Sequence, residues 1–102
     1  MRISEQTKGL ITEAVIQYMP QAEKIILFGS RADDTKRGGD IDLLVQTAGD
    51  SAVVFTQKVQ AVSAMQLQLN GQRIDLVTAR GEDDERLIVQ TAYREGVVLW
   101  TK

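Results

Sequence analysis

The apolar positions of this chain fall into blocks, and their spacing changes from block to block. Between Ser4 and Tyr18, Leu10, Ala14 and Tyr18 recur at every fourth residue, with Ile11 and Val15 beside them. That period predicts an amphipathic helix. Gly9 costs it roughly 1 kcal/mol relative to alanine. Pro20 ends it, because the residue before a proline is pushed toward extended backbone. "KIILFG" is then a continuous apolar run bounded by glycine, which predicts a buried strand. "SRADDTKR" reads as a short helix or a loop, and "DIDLLVQ" as a second strand. From Ser51 to Leu69 the helical period returns, with Phe55, Val59, Val62 and Leu69 on one stripe and Met65 at its border. That stripe is expected to face the core. Asp50 or Ser51 suits the N-cap of this helix, and Asn70-Gly71 its C-terminal end. "QRIDLVTA" predicts a third strand, "EDDERLIVQTAYRE" a third long helix and "GVVLW" a last strand. The acids Glu82 to Glu85 are expected in the first turn of that third helix, where they complement its dipole.

Strands alternating with helices predict an α/β (α+β) class, a single mixed sheet with helices packed against it. No linker interrupts the pattern, so residues 1–102 are expected to form one domain. Val97 to Trp100 is expected at an edge of the sheet, open to a partner. Trp100 itself suits core or interface, and Arg86 and Arg94 are expected in solvent.

Composition narrows the function classes. Hydrophobic residues make up 43% and charged residues 25%, the balance of an ordinary soluble protein. The apolar runs are far too short for a membrane span. "MRISEQTKGL" lacks the apolar core of a signal peptide, so a cytoplasmic location is expected. The chain has neither cysteine nor histidine. Ser-His-Asp and Cys-His catalysis are therefore excluded, and a bound metal must sit on oxygen ligands, as Mg²⁺, Mn²⁺ or Ca²⁺ do. The net charge of −2 disfavours free nucleic acid as a main partner, Lys36-Arg37 being the most basic local pair.

Asp40 and Asp42 stand out against this background. Side chains alternate faces in a strand. Asp40, Asp42 and Leu44 therefore point one way, and Ile41, Leu43 and Val45 the other. Two carboxylates on one face repel each other and resist desolvation. Divalent cations relieve that cost, and carboxylates at i, i+2 can converge on one or two ions. Asp75, between Ile74 and Leu76, adds a third carboxylate to the face if its strand neighbours the second. The competing reading is a solvated strand end, with Asp40 as a turn residue after Gly38-Gly39. Gly29-Ser30 also has two readings. A glycine after a strand lets the backbone approach a ligand, and Ser30 at a helix start suits a phosphate, with Arg31 able to grip it bidentately. A tight turn with a serine cap explains the pair as well.

The order of these features carries more than any one of them. Strand, Gly29-Ser30, spacer, Asp40-Ile41-Asp42 and then Asp75 on a later strand resembles the nucleotidyltransferase superfamily that includes polymerase β. The resemblance covers Ile25 to about Val77, with flanking helices that fit. The "LFGSRA…DIDLLV" texture is most similar to the minimal nucleotidyltransferases of prokaryotes. Two features depart from the family pattern. Nine residues separate Ser30 from Asp40, one fewer than in many members. The loop also carries Asp33-Asp34 where small members often have basic residues and glycine, and Gly39 where a serine often precedes Asp-x-Asp.

The resemblance implies a polymerase-β-like fold and Mg²⁺-dependent transfer of a nucleotidyl group. Asp40 and Asp42 would hold Mg²⁺ on the triphosphate of ATP, and Asp75 would complete the site for a second ion and help deprotonate the acceptor. Gly29 and Ser30 would bind the β- and γ-phosphates. A chain of this length leaves no room for a separate acceptor domain, so recognition is expected from a partner or from homo- or hetero-oligomerisation. Minimal nucleotidyltransferases are typically paired with a HEPN-domain protein in toxin–antitoxin modules. The implied activity is that of an antitoxin moving AMP from ATP to a tyrosine of the HEPN ribonuclease. Two alternatives stay open: an antitoxin that neutralises its partner by contact alone, and transfer to a small molecule across a dimer cleft.

Overall fold

The computed structural model describes residues 3–32 and 39–102. Asp33, Asp34, Lys36, Arg37 and Gly38 of the spacer lie outside the described residues. Ser4 caps the first helix, α1 (Glu5–Tyr18), its Oγ accepting from the Thr7 N–H at 3.0 Å. Strand β1 (Ala22–Phe28) follows and runs into a 3₁₀ turn over Gly29–Ala32. Then come β2 (Ile41–Thr47), α2 (Ser51–Gln68), β3 (Ile74–Ala79), α3 (Leu87–Glu95) and β4 (Val97–Thr101). No helix among the described residues is long and apolar enough to cross a membrane.

The strands form a mixed sheet in the order β3-β2-β1-β4. β1 is antiparallel to both β2 and β4, while β2 and β3 are parallel and joined through α2. β3 and β4 are therefore the edges, as expected for the C-terminal strand. The "IILF" run is buried on both faces. Ile25 and Leu27 pack with α1 and α2, and Ile26 and Phe28 with α3. This double burial is why the run does not alternate with polar residues. Trp100 is partly buried against the α1/α2 side.

Two expectations are corrected. The core face of α2 is Val54, Ala61 and Met65, whereas Phe55 is 63% exposed and Val59 47%. The stripe lies about one residue round from the expected one. Lys58 and the small Ala61 interrupt its hydrophobic weight in the sequence, yet Ala61 lets the helix approach its neighbours closely. Val62 and Leu69, from the expected stripe, are partly buried at the border of the core. The second correction concerns the acidic run. Helix α3 starts at Leu87, so Glu82 to Glu85 precede it rather than form its first turn. Asp84 accepts from both the Arg86 N–H (3.0 Å) and its guanidinium (2.8 Å), closing a local turn that competes with the helix. Gln90 reaches back from α3 to the Glu82 and Asp84 carbonyls, at 2.9 and 2.6 Å, and holds that turn in place. Arg86 and Arg94 are both exposed, as expected; Arg86 is also held by Asp84 and the Thr78 carbonyl, and Arg94 pairs with Glu95.

Candidate active site

The parallel register of β2 and β3 sets Asp42 directly beside Asp75. On its other side Asp42 faces Phe28 of β1. By the pleat, Asp42 shares a face with Leu44, and Asp75 with Val77. This is the α3 side of the sheet, and α3 covers Leu44 further along the strands. Among the described residues, the two carboxylates therefore stand at the end of that face that α3 leaves uncovered. Asp75 is exposed and Asp42 partly buried. Burial first, then the charges of Asp75 and Asp40, hold the Asp42 carboxyl above its ordinary value of 3.8.

Asp40 precedes β2 and is tied differently. Its carboxylate lies 3.7 Å from Arg73 Nε, in a pair whose side chains are 50% and 74% exposed. Such a pair contributes about 0–1 kcal/mol, so it holds Asp40 only weakly. Among the described residues, no three acidic side chains are gathered into a ready-made metal site. Asp42 and Asp75 are brought together, and Asp40 acts on Asp42 through its charge while leaning toward Arg73.

Gly29 lies against this cluster. Its φ is +73°, which L side chains rarely adopt. A Cβ built there would sit 3.2 Å from Asp42 Cγ and overlap the carboxylate oxygen. The glycine thus makes room for Asp42 at the end of β1, in addition to the backbone approach read from the sequence. Ser30 follows in the 3₁₀ turn. Arg31 turns inward, its guanidinium donating to the Gly39 carbonyl at 3.0 Å and to Gln72 Oε1 at 3.4 Å. Gln72 Nε2 donates to the same Gly39 carbonyl and to the Arg73 carbonyl. The residue before Asp40 is so fastened to the start of β3. Gln72 and Arg73 went unnoticed in the sequence, where nothing but their place two or three residues before Asp75 marks them.

The donor set fits a hard divalent cation. It offers carboxylate oxygens alone, their charges are mutually destabilising, and the weak Asp40–Arg73 pair leaves Asp40 able to join them. A separate cavity of about 350 Å³ lies at the other end of β2 and β3, lined by Thr47, Lys58, Thr78, Arg80 and Arg86 among others, and contains none of these aspartates.

Comparison with known proteins points the same way. Residues 11–102 match the sequence profile of the family described as Polymerase beta, Nucleotidyltransferase. No curated protein sequence matches the chain significantly. A crystal structure of the toxin–antitoxin complex MntA–HepT contains a chain with a TM-score of 0.69 at 21% identity, the match covering 97% of this chain and 74% of that one. A toxin–antitoxin structure with AMP-PNP gives a TM-score of 0.71 at 23% identity, covering 93% and 73%. A Shewanella oneidensis protein gives 0.66 at 19% identity, covering 98% and 74%. At these identities the structural likeness speaks for the fold.

Proposed function

Because the chain belongs to the polymerase β nucleotidyltransferase family, we propose that it is a Mg²⁺-dependent protein adenylyltransferase, the antitoxin of a toxin–antitoxin pair. Its acceptor is a tyrosine of a partner HEPN ribonuclease, and its nucleotide is ATP. One observation carries this reading: Asp42 and Asp75 stand side by side on adjacent parallel strands, with Gly29 packed against Asp42. The similarity to chains from MntA–HepT complexes, one of them with AMP-PNP, supports the partner class and the nucleotide.

Asp42 and Asp75, with Asp40, would hold Mg²⁺, which supplies neutralisation of phosphate charge and activation of the acceptor oxygen. Gly29 and Ser30 bind the β- and γ-phosphates at the end of β1. Arg31, fixed to Gly39 and Gln72, borders that turn and positions the approach to Asp40. The tyrosine oxygen bonds to the α-phosphorus as the bond to the β-phosphate oxygen breaks. Pyrophosphate leaves, and the hydroxyl proton passes to the Asp75 carboxylate. Positioning and preorganised charge supply most of the rate.

The test is label transfer from ATP labelled at the α-phosphate to the co-encoded partner, with Mg²⁺. Wild-type protein is expected to label the partner, and the Asp40→Ala/Asp42→Ala double variant is not. If the two proteins co-purify without any label being transferred, the reading gives way to neutralisation by contact alone.

A further inference from the structure

We propose that the free edge of β3 is a docking strand: an extended segment of the acceptor protein adds to the sheet there and presents its hydroxyl side chain opposite Asp75. This rests on the nucleotidyl-transfer reading of the aspartates and specifies how the acceptor reaches them.

The first observation is where the edge is open. The Ile41 N–H donates to the Arg73 carbonyl. Backbone groups alternate in direction along a parallel ladder, so Arg73, Asp75 and Val77 bond toward β2. Ile74, Leu76 and Thr78 then turn their N–H and C=O groups outward. The Thr78 carbonyl is taken, accepting from the Arg86 guanidinium at 2.6 Å. Among the described residues, the unpaired stretch is thus confined to Ile74 through Val77, with Asp75 inside it.

The second observation is what lies alongside. A groove of about 410 Å³ runs between that stretch and α2, with Val59 and Val62 on its helix side. Its lining is mostly apolar, and Val59 is 47% exposed. An added strand would meet both features at once. Its residue opposite Asp75 points to the carboxylate face, and the residues on either side point to the face of Val59 and Val62. In an antiparallel pairing, Asp75 and its opposite residue form the non-hydrogen-bonded pair, with Cα atoms about 4.5 Å apart. A long side chain such as tyrosine then reaches across β3 toward Asp42. The segment recognised is extended, with a hydroxyl residue flanked by apolar ones.

Charge selects this occupant over a second copy of the chain. Pairing β3 with its own twofold mate would bring a second Asp42–Asp75 set to the same face of one sheet. Asp42 and Asp75 are already register neighbours within one copy, so that pairing would gather two such carboxylate pairs on one face. An acceptor segment with a neutral hydroxyl adds no such repulsion and gains the open backbone bonds.

The test uses the full chain and a blocked peptide in which valine and threonine alternate about one central tyrosine. Backbone NMR is recorded during titration, with Mg²⁺ and α-labelled ATP added in a parallel transfer assay. The Ile74 and Leu76 amides are expected to shift and gain exchange protection. A peptide N-methylated at the two residues flanking the tyrosine is expected not to bind. Val59→Glu, which places a charge in the groove, should weaken binding by about tenfold or more while leaving ATP binding and the melting temperature unchanged. Label on the tyrosine without any shift at Ile74 or Leu76 overturns the docking strand and keeps the transfer reading. Shifts at both amides without label support the docking strand and count against the transfer reading. Concentration-dependent shifts of these amides without peptide, with dimers in sedimentation, assign the edge to a second copy and overturn the proposal.

Discussion

Gly29 and Gly71 make a controlled pair for testing how tightly the candidate site is built. Both have positive φ, +73° and +78°. A Cβ on Gly71 meets nothing within 4 Å, whereas a Cβ on Gly29 overlaps the Asp42 carboxylate. Gly71→Ala therefore isolates the backbone cost, roughly 1–2 kcal/mol for an L residue in the left-handed region. Gly29→Ala carries that cost plus displacement of the carboxylate, which adds about 1–3 kcal/mol if the site behaves as an overpacked one. For a domain of this size each kcal/mol moves the melting temperature by about 4–8 °C. Gly29→Ala should then melt several degrees below Gly71→Ala. Thermal and urea denaturation of the two variants measure the difference. Repeating Gly29→Ala in an Asp42→Ala background should bring its cost down to that of Gly71→Ala. Equal costs for the two glycines in the wild-type background would refute the contact between Gly29 and Asp42.

Three further outcomes follow from the geometry. In the metal-free protein the raised Asp42 carboxyl binds its proton more tightly folded than unfolded, so stability falls as pH rises from 3.8 through the raised value; Asp42→Asn should flatten that slope in denaturation curves taken across the acid range. Asp84, held below its ordinary 3.8 by Arg86, acts with the opposite sign: its contribution is present above 3.8 and lost as pH falls through the lowered value, and Asp84→Asn should remove it. On α2, Met65→Ala should cost about 2–5 kcal/mol and Phe55→Ser within about 0.5 kcal/mol of nothing, by urea denaturation, because the first faces the core and the second does not.

Much of the fold was legible because its strands carry strong local signals. The continuous "IILF" run, the Asp-x-Asp strand and the lone Asp75 marked members of the sheet, while the neighbouring of the Asp75 strand with the second stood only as a condition, which the β2–β3 pairing meets. What periodicity could not give was the rotation of α2. Its core stripe runs through the small Ala61 and is broken by the half-buried Lys58, and hydrophobic weight alone favours Phe55 and Val59 instead. The start of α3 was hidden for a related reason. Acids before an apolar run suit a helix dipole, but Asp84 prefers its own Arg86 and closes a turn. At the site, the strand pleat and the β2–β3 pairing accounted for Asp42 and Asp75 together. The lean of Asp40 toward Arg73, and the clamp of Arg31 and Gln72 on Gly39, depend on contacts between distant segments that no local spacing encodes.

The central claim is that Asp42 and Asp75 form a cation-dependent nucleotide site, and calorimetric titration of ATP tests it most directly. Run with and without Mg²⁺, on wild-type protein and on Asp42→Asn, it should give binding that requires Mg²⁺ and is lost in the variant. ATP binding of equal strength in all four experiments, or none in any, would contradict the account.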